Sequence, residues 1–189
     1  RTGAASGAAF DALARKDAKV GALIGTGGQA ATQLEAMLCA RNLETVRIFD
    51  LDPERLNAFV ERMRQELGSY GAELIAAASS DEAVEGADIL VTMTPSLKPV
   101  FNADKVKPGC TVSCVGAYQP HMQEMDPKIL PRASKIYFDS QSAVLAESGD
   151  IIIPLNDGTI SESAFTGELG DVLLGNLVGR ENDEEIIVF

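Results

Sequence analysis

The sequence predicts a doubly wound α/β fold, with a mainly parallel sheet and helices on both faces. Three observations carry that expectation. Short apolar runs alternate with segments of helical period along nearly the whole chain. The first clear run, Val20 to Ile24, passes into Gly25-Thr26-Gly27-Gly28-Gln29-Ala30, and a helix follows with Ala30, Ala31, Leu34, Met37 and Leu38 on one face. The next run, Thr45 to Phe49, ends in Asp50 about 20 residues beyond those glycines.

Strand, glycine turn and helix form the context in which G-x-G-x-x-A reads as a dinucleotide fingerprint. Gly25 permits the tight turn, Gly27 lets the backbone approach a pyrophosphate, and Ala30 lets helix and strand pack closely. The N–H groups and positive dipole end of the helix then face the phosphates. A carboxylate at Asp50 suits the ribose hydroxyls and repels a 2′-phosphate, so NAD(H) is expected in preference to NADP(H). Arg47, inside the strand, is poorly placed to reverse that preference; Arg55 leaves it open.

The remaining elements follow in order. Thr2 to Ala18 reads as an Ala-rich helix weakened by Gly3 and Gly7. A helix starts at Pro53 after Asp52 as its N-cap, turns Leu56, Phe59, Val60 and Met63 to the sheet, and stops near Gly68. Glu73 to Ala77 reads as a third strand, Asp81 to Glu85 as a short helix, and Ile89 to Met93 as a fourth strand. That strand ends in Thr94-Pro95-Ser96, where ligands of open α/β sheets bind; Thr92 and Thr94 offer hydroxyls to a ribose or pyrophosphate, or simply end a strand at a proline turn. Thr111 to Val115 is the fifth strand, and Gly116 after it gives room for a nicotinamide ring. Met122 to Leu130 is expected to be a short helix, Lys135 to Phe138 a sixth strand, and Ser140 to Ser148 a helix halted by Gly149. Ile151 to Pro154 reads as extended, Gly167 to Val178 as a helix, and Glu185 to Phe189 as a last strand.

Bulk properties narrow the function. The 189 residues suffice for one such domain and not for two sizeable ones. A formal charge of −12 argues against nucleic acid or an anionic membrane as partner. No apolar run reaches the roughly 20 residues of a membrane span. Cys39, Cys110 and Cys114 have no ligand-spaced companions, so no metal is expected, and reduced thiols fit a cytoplasmic setting. A first residue of Arg1 rather than Met suggests an excised piece. A methyltransferase would place an acid just before the glycine loop, where this chain has Leu23-Ile24.

Taken together, the motifs resemble the ornithine cyclodeaminase/mu-crystallin family. The matching pieces are Arg1-Thr2-Gly3-Ala4-Ala5-Ser6, Ile24 to Ala30, Ala87 to Thr92 continuing to Pro95, Lys107-Pro108-Gly109, and Val115-Gly116-Ala117 with Pro120. Glu124-Met125-Asp126, Gly149-Asp150, Gly167 to Gly170, Gly179-Arg180 and Ile187-Val188-Phe189 complete them. The resemblance implies a Rossmann-type cofactor domain over residues 1–189, with a substrate-binding, dimer-forming domain before it and a further segment after it. It implies that Arg1 holds a substrate carboxylate, that Gly28 and Gln29 contact pyrophosphate, that Asp50 accepts from ribose, and that Thr92 and Val112 to Val115 surround the nicotinamide half. The implied chemistry is hydride transfer between nicotinamide and the amine or imine carbon of an amino acid or cyclic ketimine. Cyclodeaminases of the family carry an aspartate where this chain has Tyr118. A neutral phenol is a poor base, so ornithine-to-proline deamination is the less favoured alternative. Tyr118 either donates a hydrogen bond to substrate or packs at the domain edge, and His121 is an acid–base group or an exposed loop residue. The mu-crystallin branch leaves a non-catalytic binding protein as a further alternative.

Overall fold

A computed structural model describes residues 1–189. Its strands are β1 (Val20–Ile24), β2 (Thr45–Phe49), β3 (Glu73–Ala76), β4 (Ile89–Thr92), β5 (Thr111–Cys114), β6 (Lys135–Phe138), β7 (Gly167–Glu168) and β8 (Ile187–Val188). All pair in parallel, in the order β3-β2-β1-β4-β5-β8-β6-β7. The helices are α1 (Thr2–Leu13), α2 (Ala30–Ala40), α3 (Pro53–Leu67), α4 (Ser80–Val84), α5 (Gln141–Glu147), α6 (Gly149–Asn156) and α7 (Leu169–Leu173). No helix is long and apolar enough to cross a membrane.

The central strands are apolar on both faces because both faces are covered. Leu23, Val46, Ile48, Ile89 and Val91 pack with Leu34, Met37, Phe59 and Met63 of α2 and α3. Ala22, Ile24, Leu90 and Val112 face the other way, onto Val106, Ile129, Leu130 and Ile151. Phe10 of α1 joins the first cluster. Gly3, expected only to weaken α1, is a packing residue: a Cβ there would lie 2.7 Å from the Thr32 carbonyl oxygen of α2.

Several elements differ from the sequence expectation. α1 ends at Leu13, five residues early. Met122 to Leu130 is not a helix but an irregular loop running into a 3-10 turn at Pro127–Arg132, started by the Asp126 carboxylate. Pro127 and Pro131 lack the N–H groups a longer α-helix needs. Ile151 to Pro154, expected extended, lies within α6, which begins at Gly149 rather than halting there. That glycine serves a close approach, since a Cβ on it would sit 1.9 Å from the Met122 carbonyl oxygen. Of Gly167 to Val178, only α7 is helical; Gly167-Glu168 pairs with β6, and Gly175, at φ 77°, follows the helix end. The short β8 slots between β5 and β6.

Asp52 caps α3 as expected, accepting from the Glu54 and Arg55 N–H groups at 3.1 Å each. Replacing Asp52 with Ala is expected to destabilise the protein by about 1 kcal/mol in urea unfolding, with an unchanged slope.

Candidate functional site

The chain runs β1, β2, β3 outward in one direction, then returns to place β4 on the other side of β1. Ile24 is level with Phe49 on one side and Thr92 on the other, and Thr92 is level with Cys114. Gly25, Asp50, Met93 and Val115 therefore occupy the next rung together, at the carboxyl edge where the strand order reverses. A cleft of about 730 Å³ opens there, lined by Gly25, Thr26, Gly27, Asp50, Leu51, Arg55, Ser79, Ser80, Thr94, Pro95, Ser96 and Lys98, among others.

Gly25 has φ 99° and donates its N–H to the Phe49 carbonyl at 2.9 Å. Gly27 and Gly28 have nothing within 4 Å of where a Cβ would stand, so their backbone is open to a ligand. No side chain caps α2, whose Ala30 is fully buried against the sheet. Gln29 occupies the cap position with helical φ and ψ. The N–H groups of Gly27, Gly28 and Gln29 ahead of the helix have no partner in the fold, and Gly27 lines the cleft.

Asp50 is buried and already heavily bonded. One carboxylate oxygen accepts from the Thr26 N–H at 2.8 Å and hydroxyl at 2.7 Å; the other accepts from the Asp52 N–H at 3.0 Å and from the Arg55 guanidinium. Burial alone would raise its pKa, but Arg55 and the other donors outweigh it and hold the group at about 2. Arg47 is turned away, donating to the Glu82 and Glu85 carbonyls at the end of α4.

Other expected residues are placed differently. Thr92 is fully buried, its hydroxyl unpartnered in the sheet, and does not reach the cleft. Thr94 lines the cleft but donates its hydroxyl to Glu124 at 2.9 Å. Gly116 serves a close approach of two loops, since a Cβ there would lie 2.2 Å from the Thr94 carbonyl oxygen. Val115 and Tyr118 line a second, more apolar pocket of about 340 Å³ with Thr2, Tyr137, Phe138 and Phe189. Tyr118 is exposed there, and His121 is exposed on the loop beyond it. Arg1 lies in a groove between α1 and α2, beside Thr2 but outside both the cleft and the pocket.

Sequence reasoning gave no role to two buried carboxyls between the cleft and the pocket. Glu124 accepts from the Thr94 and Gly116 N–H groups at 2.6 Å each, and Asp150 accepts from the Glu124 and Met125 N–H groups at 2.8 and 2.9 Å. Burial, aided by Asp150, pushes Glu124 up to about 7 against its N–H donors; burial likewise pushes Asp150 up to about 6. Cys114, raised by burial and by both acids, completes a group whose ligand atoms lie within 4.8 Å of one another. Both Glu124 oxygens are already committed to backbone donors. The signal in sequence is that both acids fall in pieces matching the family, Glu124-Met125-Asp126 and Gly149-Asp150, to which no role is attached.

An all-parallel sheet with a glycine turn and an acid at neighbouring strand ends defines a Rossmann-type α/β protein. Comparison with known proteins specifies it further. The chain belongs to the ornithine cyclodeaminase/mu-crystallin family, whose model matches residues 1–189. It is 38% identical over 189 residues to a Δ1-pyrroline-2-carboxylate reductase of Bacillus cereus, covering all of this chain and 57% of that protein. The solved Δ1-pyrroline-2-carboxylate reductase of Thermococcus litoralis, in complex with NADH and L-proline, superposes with a TM-score of 0.94 at 39% identity, covering 100% of this chain and 57% of that one. An archaeal alanine dehydrogenase dimer with bound NAD gives a TM-score of 0.91 at 35% identity over 100% of this chain and 57% of that one. This chain thus spans a little over half the length of the relatives it matches.

The two kinds of carboxyl set opposite pH dependences of stability. Asp50, lowered on folding, contributes stability that is present above its unfolded value of 3.8 and lost as pH falls through about 2. Glu124 and Asp150, raised on folding, contribute stability that is present below their unfolded values and lost as pH rises through about 6 to 7. Thermal melts from pH 2 to 9 are expected to show Asp50→Asn flattening the acid limb and Asp150→Asn flattening the neutral one.

Proposed function

We propose that this chain binds a nicotinamide dinucleotide for an oxidoreductase acting on the amine or imine carbon of an amino acid or cyclic ketimine. The observation that carries the reading is the open Gly27-Gly28 backbone beside an uncapped α2, facing Asp50 across the strand-order reversal. The relatives support the substrate class: one of them was solved with NADH and L-proline together. Tyr118, in place of an aspartate, favours reduction or oxidation at carbon over ring-closing deamination. The nicotinamide, when bound, supplies the hydride exchange. Everything else is the work of the chain.

Within the turn from Gly25 to Ala30, the unpartnered N–H groups of Gly27, Gly28 and Gln29 would hold the pyrophosphate, with Lys98 and Arg55 adding positive charge at the cleft wall. Asp50 would hold the adenosine ribose. Of its four donors, Arg55 is the exposed one, so it is the one that yields to ribose hydroxyls at small cost. An always-ionised Asp50 disfavours a 2′-phosphate, which is the basis for expecting NAD(H) over NADP(H). Thr94 and Pro95 would bound the middle of the cofactor, and Val115 and Gly116 its nicotinamide end. Arg1, from the groove beside α1, would hold the substrate carboxylate, and Tyr118 would donate a hydrogen bond to substrate from the second pocket. We further read the whole protein as a cytoplasmic homodimer, in keeping with the dimeric archaeal relative.

Calorimetric titration with NADH and NADPH tests the reading. The wild-type chain is expected to bind NADH more tightly, and Asp50→Ala to weaken NADH by roughly tenfold, about 1.4 kcal/mol, and to erase the preference. Gly27→Val places its Cβ in open space in the folded protein. It is expected to melt within a degree or two of wild type yet bind neither cofactor. Binding by Gly27→Val equal to wild type would overturn the assignment.

A further inference from the structure

The last ladder bond between β4 and β5 runs from the Val115 N–H to the Thr92 carbonyl at 3.0 Å. Beyond it the strands run into separate loops that meet again further on, through the Gln123 N–H to the Ser96 carbonyl at 3.0 Å and the Val100 N–H to the Glu124 carbonyl at 2.9 Å, and next to the strand ends one carboxylate bridges them. Glu124 takes the Thr94 N–H and hydroxyl on one oxygen and the Gly116 N–H on the other. It is fully buried. The main chain of Glu124 is itself tied to α6, because Asp150 accepts its N–H and that of Met125 on one oxygen. The other Asp150 oxygen is buried without a partner.

Two carboxyls this close in a dry site do not both ionise readily. The groups facing them are Cys114 from β5 and the neutral hydroxyls of Thr92 and Thr94 from β4 and its loop. The pocket that Asp150 borders is lined by Asp139, Glu147, Tyr118 and Tyr137 and by no Lys, Arg or His. The hydrogen bonds decide which acid keeps the proton. The Thr94 and Gly116 N–H groups pointing at Glu124 can only donate, so a proton on the oxygen facing Gly116 would displace an N–H, and one on the other oxygen would require the Thr94 hydroxyl to turn and accept. The unpartnered Asp150 oxygen has room for one.

We propose that Glu124 is a positioning residue for the nicotinamide end of the cofactor, its carboxylate setting the gap between the loops after β4 and β5. Asp150 holds the pair's proton and thereby keeps Glu124 ionised. This rests on the proposed cofactor reading. Near neutral pH the clamp is closed. Burial raises Glu124 the further of the two, but the pair titrates as a unit and the hydrogen bonds put its first proton on Asp150, so opening the clamp requires the second proton, taken up at the lower of the pair's two steps.

The test follows backbone amide shifts by NMR from pH 5 to 8.5, in wild type, Glu124→Gln and Asp150→Asn, beside NADH titrations at the same pH values. In wild type, the Thr94 and Gly116 amides are expected to move together in the lower step, and the Glu124 and Met125 amides in the upper one. Asp150→Asn should abolish the upper step and keep the lower. Glu124→Gln should leave the Thr94 and Gly116 amides flat, weaken NADH at least tenfold at pH 8 and remove the pH dependence of its affinity. Flat Thr94 and Gly116 amides in wild type, which needs no variant to fold, would overturn the proton assignment. Glu124→Gln binding NADH with wild-type affinity and pH profile would overturn the positioning role alone. Amides that titrate in a protein that binds no NADH would remove the cofactor reading, and the positioning role with it, while the proton assignment stands.

Discussion

The pairing of β1 with β2 on one side and β4 on the other is the constraint on which the rest of the site depends. Parallel pairing sends all three strand ends to one edge, and the register puts Gly25, Asp50 and Met93 on the same rung. Thr26 can then give both its N–H and its hydroxyl to Asp50, although a helix and a strand separate the two in sequence. That bond fixes the glycine turn from one side, while Thr94 and Met93 press on Gly25 from the other, within 3.0 to 3.3 Å of where its Cβ would be. A side chain at Gly25 would have to displace these neighbours and adopt a left-handed backbone. The open cleft exists because this turn is held shut from both flanks.

Much of this was legible in the sequence, and the parts that were not share physical causes. β1, β2 and the start of α3 were readable to the residue because each has a local determinant: an apolar run broken by glycine, or Asp52-Pro53 as cap and first helical turn. The misread segments depend on contacts made far away in the chain. Three consecutive isoleucines before Pro154 read as extended, yet α6 is helical because Gly149 fits under the Met122 carbonyl and Ile151 and Pro154 bury against the sheet. Gly116 and Gly149 were read by their usual local roles, as room for a ligand and as a helix stop. In the folded chain both are sites where another strand of backbone passes too closely for a Cβ. Thr92 was expected to reach the cleft because it ends a strand, but the sheet continues one more ladder bond and buries it.

The same long-range logic explains why an acidic protein buries so many of its acids. Parallel strands leave their edges with N–H groups that no ladder satisfies, and carboxylates satisfy them two at a time. Asp88 takes the Lys19 and Val20 N–H groups where β1 begins, and Glu185 takes those of Glu181 and Asn182 ahead of β8. Asp50 and Glu124 do the same work at the opposite edge. What separates them is the presence of a cation. Asp88 has Lys107, Glu185 has Lys135 and Asp50 has Arg55, and despite burial all three are held below the usual carboxylate range. Glu124 and Asp150 have only each other and a thiol, and both are pushed above it. A buried carboxylate that only held loops together would be more stable with a cation beside it. The one place where the fold omits that cation is the wall between the cleft and the second pocket, and there alone do buried carboxyls hold a proton above the usual carboxylate range, because burial is opposed only by N–H donors and the Thr94 hydroxyl.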